Sequence, residues 1–195
     1  VTMDDLTSGF NIGTNYTLNY EFNEMVGFTE QEVRDMLTYY TDFCNLHKYS
    51  VDELIEIMKP WYDNYCFAKA AYGETTMYNS NMVLYFIDNY VNGRGRIPDN
   101  MVEENIRVDY NKLRMLIRRD RETSNSIIKK LTDDGSVTGD LITGFPIEKI
   151  TEHEYFLSLL YYHGILTISG RYHGMTVFSI PNKSIRLVLD YLLTD

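Results

Sequence analysis

The sequence predicts a mainly α-helical protein with a small β component, ending in the helix, β-hairpin, helix outline of a winged-helix unit. Three observations lead there. Apolar residues recur at helical spacing behind capping boxes of the form S/T-x-x-E. Clusters of Gly, Pro, Asn and Asp separate these stretches. Near the C-terminus a glycine-containing turn divides two short β-prone runs.

Residues 1–28 show neither helical nor alternating periodicity. They are read as an ordered, extended arm, because a disordered tail would carry fewer aromatics. "TEQE" at 29–32 places Thr29 as a cap and Glu32 as its reciprocal partner. Val33, Met36, Leu37 and Tyr40 follow as the inward face of a helix. "SVDE" at 50–53 repeats the device before Val51, Leu54, Ile55 and Met58. Pro60 should end or kink that helix, since it has no N–H and its ring crowds the preceding turn.

The pattern then fails until Asn79, an N-cap leading Met82, Val83, Phe86, Ile87 and Tyr90. "NGRGRIPDN" at 92–100 is a loop. Helices are expected from about Tyr110 to Arg119 and from Ser124 to about Thr132, then a turn-rich connector with a short strand around Asp140–Thr143. "TEHE" at 151–154 is a third capping box before Phe156, Leu157, Leu160 and Tyr161, and Gly164 terminates that helix. Strands are expected at Ile165–Ile168 and Thr176–Ile180, with a wing at 169–174. Pro181–Asn182 then opens a helix with Ile185, Val188, Leu189 and Leu192 on one face.

At 195 residues the chain can bury a substantial core, and 44% hydrophobic with 24% charged residues is ordinary for a soluble globular protein. No run approaches the roughly eighteen apolar residues of a membrane helix. Cys44 and Cys66 make no disulfide framework, so a cytoplasmic location is expected. The chain opens on Val1 with no signal-peptide pattern, which suggests a piece of a longer protein. The net charge of −10 is uneven: three basic and eleven acidic groups in residues 1–60, eight basic and six acidic in 111–150. Such an acidic chain is a poor non-specific nucleic-acid binder.

No G-x-x-x-x-G-K-[ST] loop, G-x-S-x-G elbow, H-E-x-x-H pair or paired C-x-x-C motif occurs, so no catalytic residue is assigned. Cys44 and His47 have a ligand-like spacing but no partners, and no metal site is expected. Arg114, Arg118 and Arg121 share a helix face at i, i+4 and i+7, either a solvated face or a contact for a phosphate or an acidic partner. "WYDNYCF" at 61–67 gathers polar-tipped aromatics around a turn. Tyr62, Asp63 and Tyr65 are its candidates for a ligand or domain contact, set against a core-and-turn role for the same stretch.

Several blocks, in order, resemble a bacterial AAA-ATPase-like family, a P-loop ATPase-like domain often followed by a nuclease-superfamily domain. "FNEMVGFTEQEVRDML" is similar to the family's FTEEEV helix start, "WYDNYCF" to its W-Y-D-G-Y-x-F signature, and "MYNSNMVLYFI" to V-Y-N-P-x-x-V-L-x-F-L. "VTMDDLTSGFNI" looks like the segment after the family's sensor-type strand. "YFLSLLYYHGILTI" and "SIPNKSIRLVL" look like its closing helix, hairpin and helix. The resemblance implies that the phosphate-binding loop and the magnesium-binding carboxylate lie upstream of Val1. ATP and Mg²⁺ would belong to the parent protein, with no cofactor in this chain.

On that reading residues 1–28 are the arm, 29–120 a helical lid-like region and 121–195 a winged-helix-like unit. Two departures bear on backbone geometry. Asn64 replaces the family's glycine but also tolerates a left-handed turn, and Ser80 replaces the proline after the capping Asn79. Cys66 stands where some relatives have arginine. The function implied is a non-catalytic lid or regulatory part, partnered by the ATPase core of the same polypeptide. The alternatives are a winged-helix module contacting nucleic acid or protein through Arg171 and His173 at the wing, and a homo-oligomerisation module. Direct DNA contact is disfavoured by three basic against four acidic groups in residues 151–195.

Overall fold

The computed structural model describes residues 16–103, 110, 114–115, 121–143 and 152–193. Among these are six α-helices and one three-stranded antiparallel sheet: α1 (Glu30–Phe43), α2 (Val51–Tyr62), α3 (Ser80–Asn92), α4 (Arg121–Asp133), β1 (Ser136–Gly139), α5 (His153–Tyr162), β2 (Thr167–Tyr172), β3 (Met175–Ser179) and α6 (Lys183–Leu193). The chain is thus mainly α with a small β component. Among the described residues no helix is long and apolar enough to cross a membrane.

The first two capping boxes form as the sequence requires. Thr29 and Ser50 accept from the N–H groups of Glu32 and Glu53, whose carboxylates return to the cap N–H groups at 2.8 Å. Asn79 caps α3 through Met82 N–H, and all five expected apolar positions of α3 are buried. In α1, however, Tyr40 is exposed. The inward position goes to Thr41, which is tolerated because its hydroxyl donates to the Leu37 carbonyl at 2.8 Å.

Pro60 neither ends α2 nor stops it short, since the helix continues to Tyr62. Pro60 lies on the exposed side with Glu56, whose carbonyl loses its helical donor at a place open to water. The third box is not built as expected: α5 is capped at Glu152, whose side chain makes no capping bond, and Thr151 lies outside the described residues. The expected helix 110–119 also falls mostly outside them, although Arg114 N–H donates to the Tyr110 carbonyl at 2.9 Å. The following helix begins at Arg121 rather than Ser124.

Strand positions differ most. β1 lies at 136–139, not 140–143, because Val137 is the residue that faces inward opposite Phe178. Gly139 allows close approach to the sheet's covering helix, since a Cβ there would fall 2.5 Å from Leu157 Cδ2. β2 starts at Thr167 and runs through Tyr172, so most of the expected wing is strand. The turn is only His173 and Gly174, both at positive φ (48° and 87°), as a two-residue hairpin demands. The sheet order is β1-β3-β2, and Val137, Phe178 and Ile168 form one buried row across it.

Two apolar cores result. One is built from α1, α2 and α3 around Val33, Leu54, Met58 and Phe86. The other is built from the sheet, α4, α5 and α6 around Leu131, Phe156, Phe178 and Ile185, and it also takes in Tyr65, Cys66, Ala68, Ala71 and Met77. In α6 the expected Ile185, Val188 and Leu189 are buried, while the side chain of Leu192 is outside those described.

Candidate functional site

The stretch 61–68 joins the two cores. Tyr62 ends α2 fully buried, its hydroxyl donating to the Met101 carbonyl at 2.6 Å. Asn64 then turns the chain at φ +80°, the left-handed geometry for which asparagine is the best substitute for glycine. Tyr65 exchanges both backbone bonds with Met77, and Asn79 N–H donates to the Tyr62 carbonyl at 2.8 Å. On the C-terminal side, Cys66 N–H donates to Thr167 Oγ1 at 2.7 Å, Tyr161 Oη donates to the Phe67 carbonyl at 2.9 Å, and Asn182 Nδ2 donates to the Asp63 carbonyl at 2.9 Å. Asn23 Oδ1, from the N-terminal stretch, accepts from Phe67 and Ala68 N–H.

Tyr65 sits where this junction is densest. Its hydroxyl donates to the Gly164 carbonyl at 3.2 Å, with the capping amides of Asn79 and Asn182 beside it, and burial raises its pKa. Gly164 is left-handed at φ +71°, as the end of α5 requires. Of the buried side-chain oxygens without a hydrogen-bond partner among the described residues, two lie here: Asp63 Oδ1 and Tyr78 Oη. The Tyr78 phenol is held neutral by burial first, then by the negative charges of Asp63 and Glu30.

Beside the junction opens a cleft of about 640 Å³. One wall carries Tyr65 and Phe67, stacked with ring centres 5.9 Å apart, together with Tyr161 and Tyr162. The other carries Tyr16, Phe22, Met25 and Val26 from the N-terminal stretch. Gly27 lets that stretch run against the entry to α3, since a Cβ there would lie 2.6 Å from the Tyr78 carbonyl oxygen. Among the described residues, no Asp, Glu, Lys or Arg lines this cleft. Burial pushes the Tyr162 phenol up to about 12, and desolvation pulls the His163 imidazole downward, so both shifts favour the neutral forms. Such a surface suits apolar or aromatic groups, and its described lining carries no cationic side chain to pair with a phosphate.

Of the residues expected to contact a ligand or domain, Tyr62 and Asp63 are buried and Tyr65 alone reaches the cleft. In the basic face, the Arg114 guanidinium lies 4.9 Å from the Tyr191 ring centre, Arg118 is outside the described residues, and Arg121 opens α4 with its side chain outside those described. Arg171 is exposed within β2 rather than at the hairpin tip, whereas His173 is at the tip with its ring against Tyr172 at 4.4 Å. Among the described residues no group of three or more His, Cys, Asp or Glu is placed to hold a metal ion. The second wall of the cleft was missed because residues 16–27 have no periodicity, and their aromatic density was the available signal. No family model, curated protein or solved structure matches the chain.

Proposed function

We propose that this chain is the non-catalytic lid or regulatory portion of a P-loop ATPase-like protein, seated on a nucleotide-binding core of the same polypeptide. The observation that carries the reading is the aromatic cleft, whose described lining has no Asp, Glu, Lys or Arg. Its rim includes Met25 and Val26, which are 74% and 61% exposed. A concave apolar surface of this kind is unfavourable in water and favours being covered.

The junction supports the same reading. A contact at the cleft bears on Tyr65, Phe67 and Asn79, which are hydrogen-bonded into both cores, so a push there is shared by the whole body. The C-terminal half supports its winged-helix part, because helix, strand, helix and hairpin follow in order and the first strand pairs with the second hairpin strand. On this proposal ATP and Mg²⁺ belong to the core. The free thiols of Cys44 and Cys66 suit a reducing cytoplasm.

The test supplies the parent's P-loop core as a separate polypeptide and follows binding by calorimetry alongside ATP turnover. A saturable complex is expected, with turnover changed by about fivefold or more. Met25→Glu with Val26→Glu should weaken the complex about tenfold, since both residues are exposed and the charges would be buried on docking. An unweakened complex with the folded double variant removes the cleft as the docking face. No complex and unchanged turnover remove the proposal itself.

A further inference from the structure

The outer face of α1 is a second surface, independent of the cleft. Glu32, Asp35, Tyr39, Asp42 and Phe43 fall within about 100° of one another at 3.6 residues per turn, opposite Val33, Leu37 and Thr41. Tyr39 and Phe43 are 60% and 75% exposed, and their rings stack on each other with centres 5.7 Å apart and planes 6° apart. Tyr40 sets its ring edge-on to Tyr39 at 5.2 Å. Three rings are therefore in mutual contact on the outside of the molecule.

The charge on this strip has one sign. Nearby cations are engaged elsewhere: Arg34 with Glu30 and Asp52, Lys59 with Glu30, and Lys48 over the Tyr49 ring, 5.2 Å from its centre. Asp35 accepts only the Gln31 amide, Glu32 serves the Thr29 cap, and among the described residues no cation pairs with Glu32, Asp35 or Asp42. Ring faces attract cations through their quadrupole, and guanidinium also stacks on them. Carboxylates one turn away add the complementary charge.

We propose that the outer face of α1 docks an arginine-bearing amphipathic helix of a partner protein. The strip from Glu32 to Phe43 is about 17 Å long, so it would engage three turns of such a helix. Arginines would lie over Tyr39 and Phe43 and pair with Asp35 and Asp42.

The probe is a fluorescently labelled, blocked alanine-based helical peptide with arginines at three- and four-residue spacing, titrated with the whole chain in low salt. Its twin carries glutamine in place of arginine. Saturable binding of the arginine peptide alone is expected, weakened about tenfold by Tyr39→Ser with Phe43→Ser. Asp35→Asn with Asp42→Asn should weaken it too and flatten its dependence on salt. The Met25→Glu, Val26→Glu variant should bind the peptide normally, which separates this surface from the cleft. Equal binding of the glutamine twin overturns the proposal, as does unchanged affinity in the aromatic double variant. So does a sedimenting dimer abolished by that variant, because a second copy would then be the occupant.

Discussion

Tyr62 and Tyr78 are both buried phenols in the first core, yet only Tyr62 has a partner. Tyr62→Phe leaves the Met101 carbonyl without its donor and should cost about 1–2 kcal/mol. Tyr78→Phe removes a hydroxyl that was desolvated for no hydrogen bond, and should be neutral or stabilising by up to about 1 kcal/mol. Urea unfolding of the two variants decides this: equal destabilisation would mean that Tyr78 Oη has a partner after all. Asp63 teaches the same lesson. Its place in a turn was legible in the sequence, but its side chain is almost wholly buried, with Oδ1 unpartnered and its backbone doing the bonding. Asn64 shows the opposite case. Its positive φ was expected because the resembled family has glycine there and asparagine also tolerates the left-handed region.

Helices α1, α2 and α3 were legible because their signals are local. A cap and the apolar stripe behind it lie within a few turns of one another. Thr29→Ala and Ser50→Ala should each cost about 1 kcal/mol, since each frees an N–H and removes the reciprocal partner of a carboxylate. Serine at position 29 and threonine at position 50 should restore nearly all of it in thermal unfolding, and failure of that rescue would assign the loss to packing instead. The strands were less legible because their bounds depend on distant pairing. Ile165 and Leu166 look like strand by composition, but they are buried in the link from α5, and β2 begins only where Thr167 can pair with Ser179. Tyr172 and Met175 extend the ladder because His173 and Gly174 turn within two residues. The cleft was hidden for a similar reason, its walls being contributed by stretches from about Tyr16 to Gly164.

Over the whole molecule, seventeen tyrosines make alkaline pH the informative stress. Burial raises the phenols of Tyr62, Tyr65, Tyr78 and Tyr161 above their ordinary value of 10.0 and takes Tyr162 to about 12. For a group whose folded pKa is raised, the unfolded chain releases its proton first. The stability is therefore complete below pH 10 and is lost as pH rises through the folded values. Two carboxylates act at the acid end. Lys59 and then Arg34 lower Glu30, and the Ser50 cap lowers Glu53, so their contribution is present above the ordinary carboxylate value and falls away below it. Both are open enough to solvent that this limb should be shallow. The expected profile of urea midpoint against pH is thus a plateau with a gentle acid edge and a steep alkaline one. Because the phenols span both cores and the junction ties these together, the alkaline loss should be cooperative, with far-ultraviolet circular dichroism and tyrosine ionisation absorbance changing together. Tyr161→Phe should soften that edge despite losing the bond to the Phe67 carbonyl. Tyrosine ionisation completed well before any loss of helix would show that the phenols titrate in the folded state, and that the junction is not a dry contact.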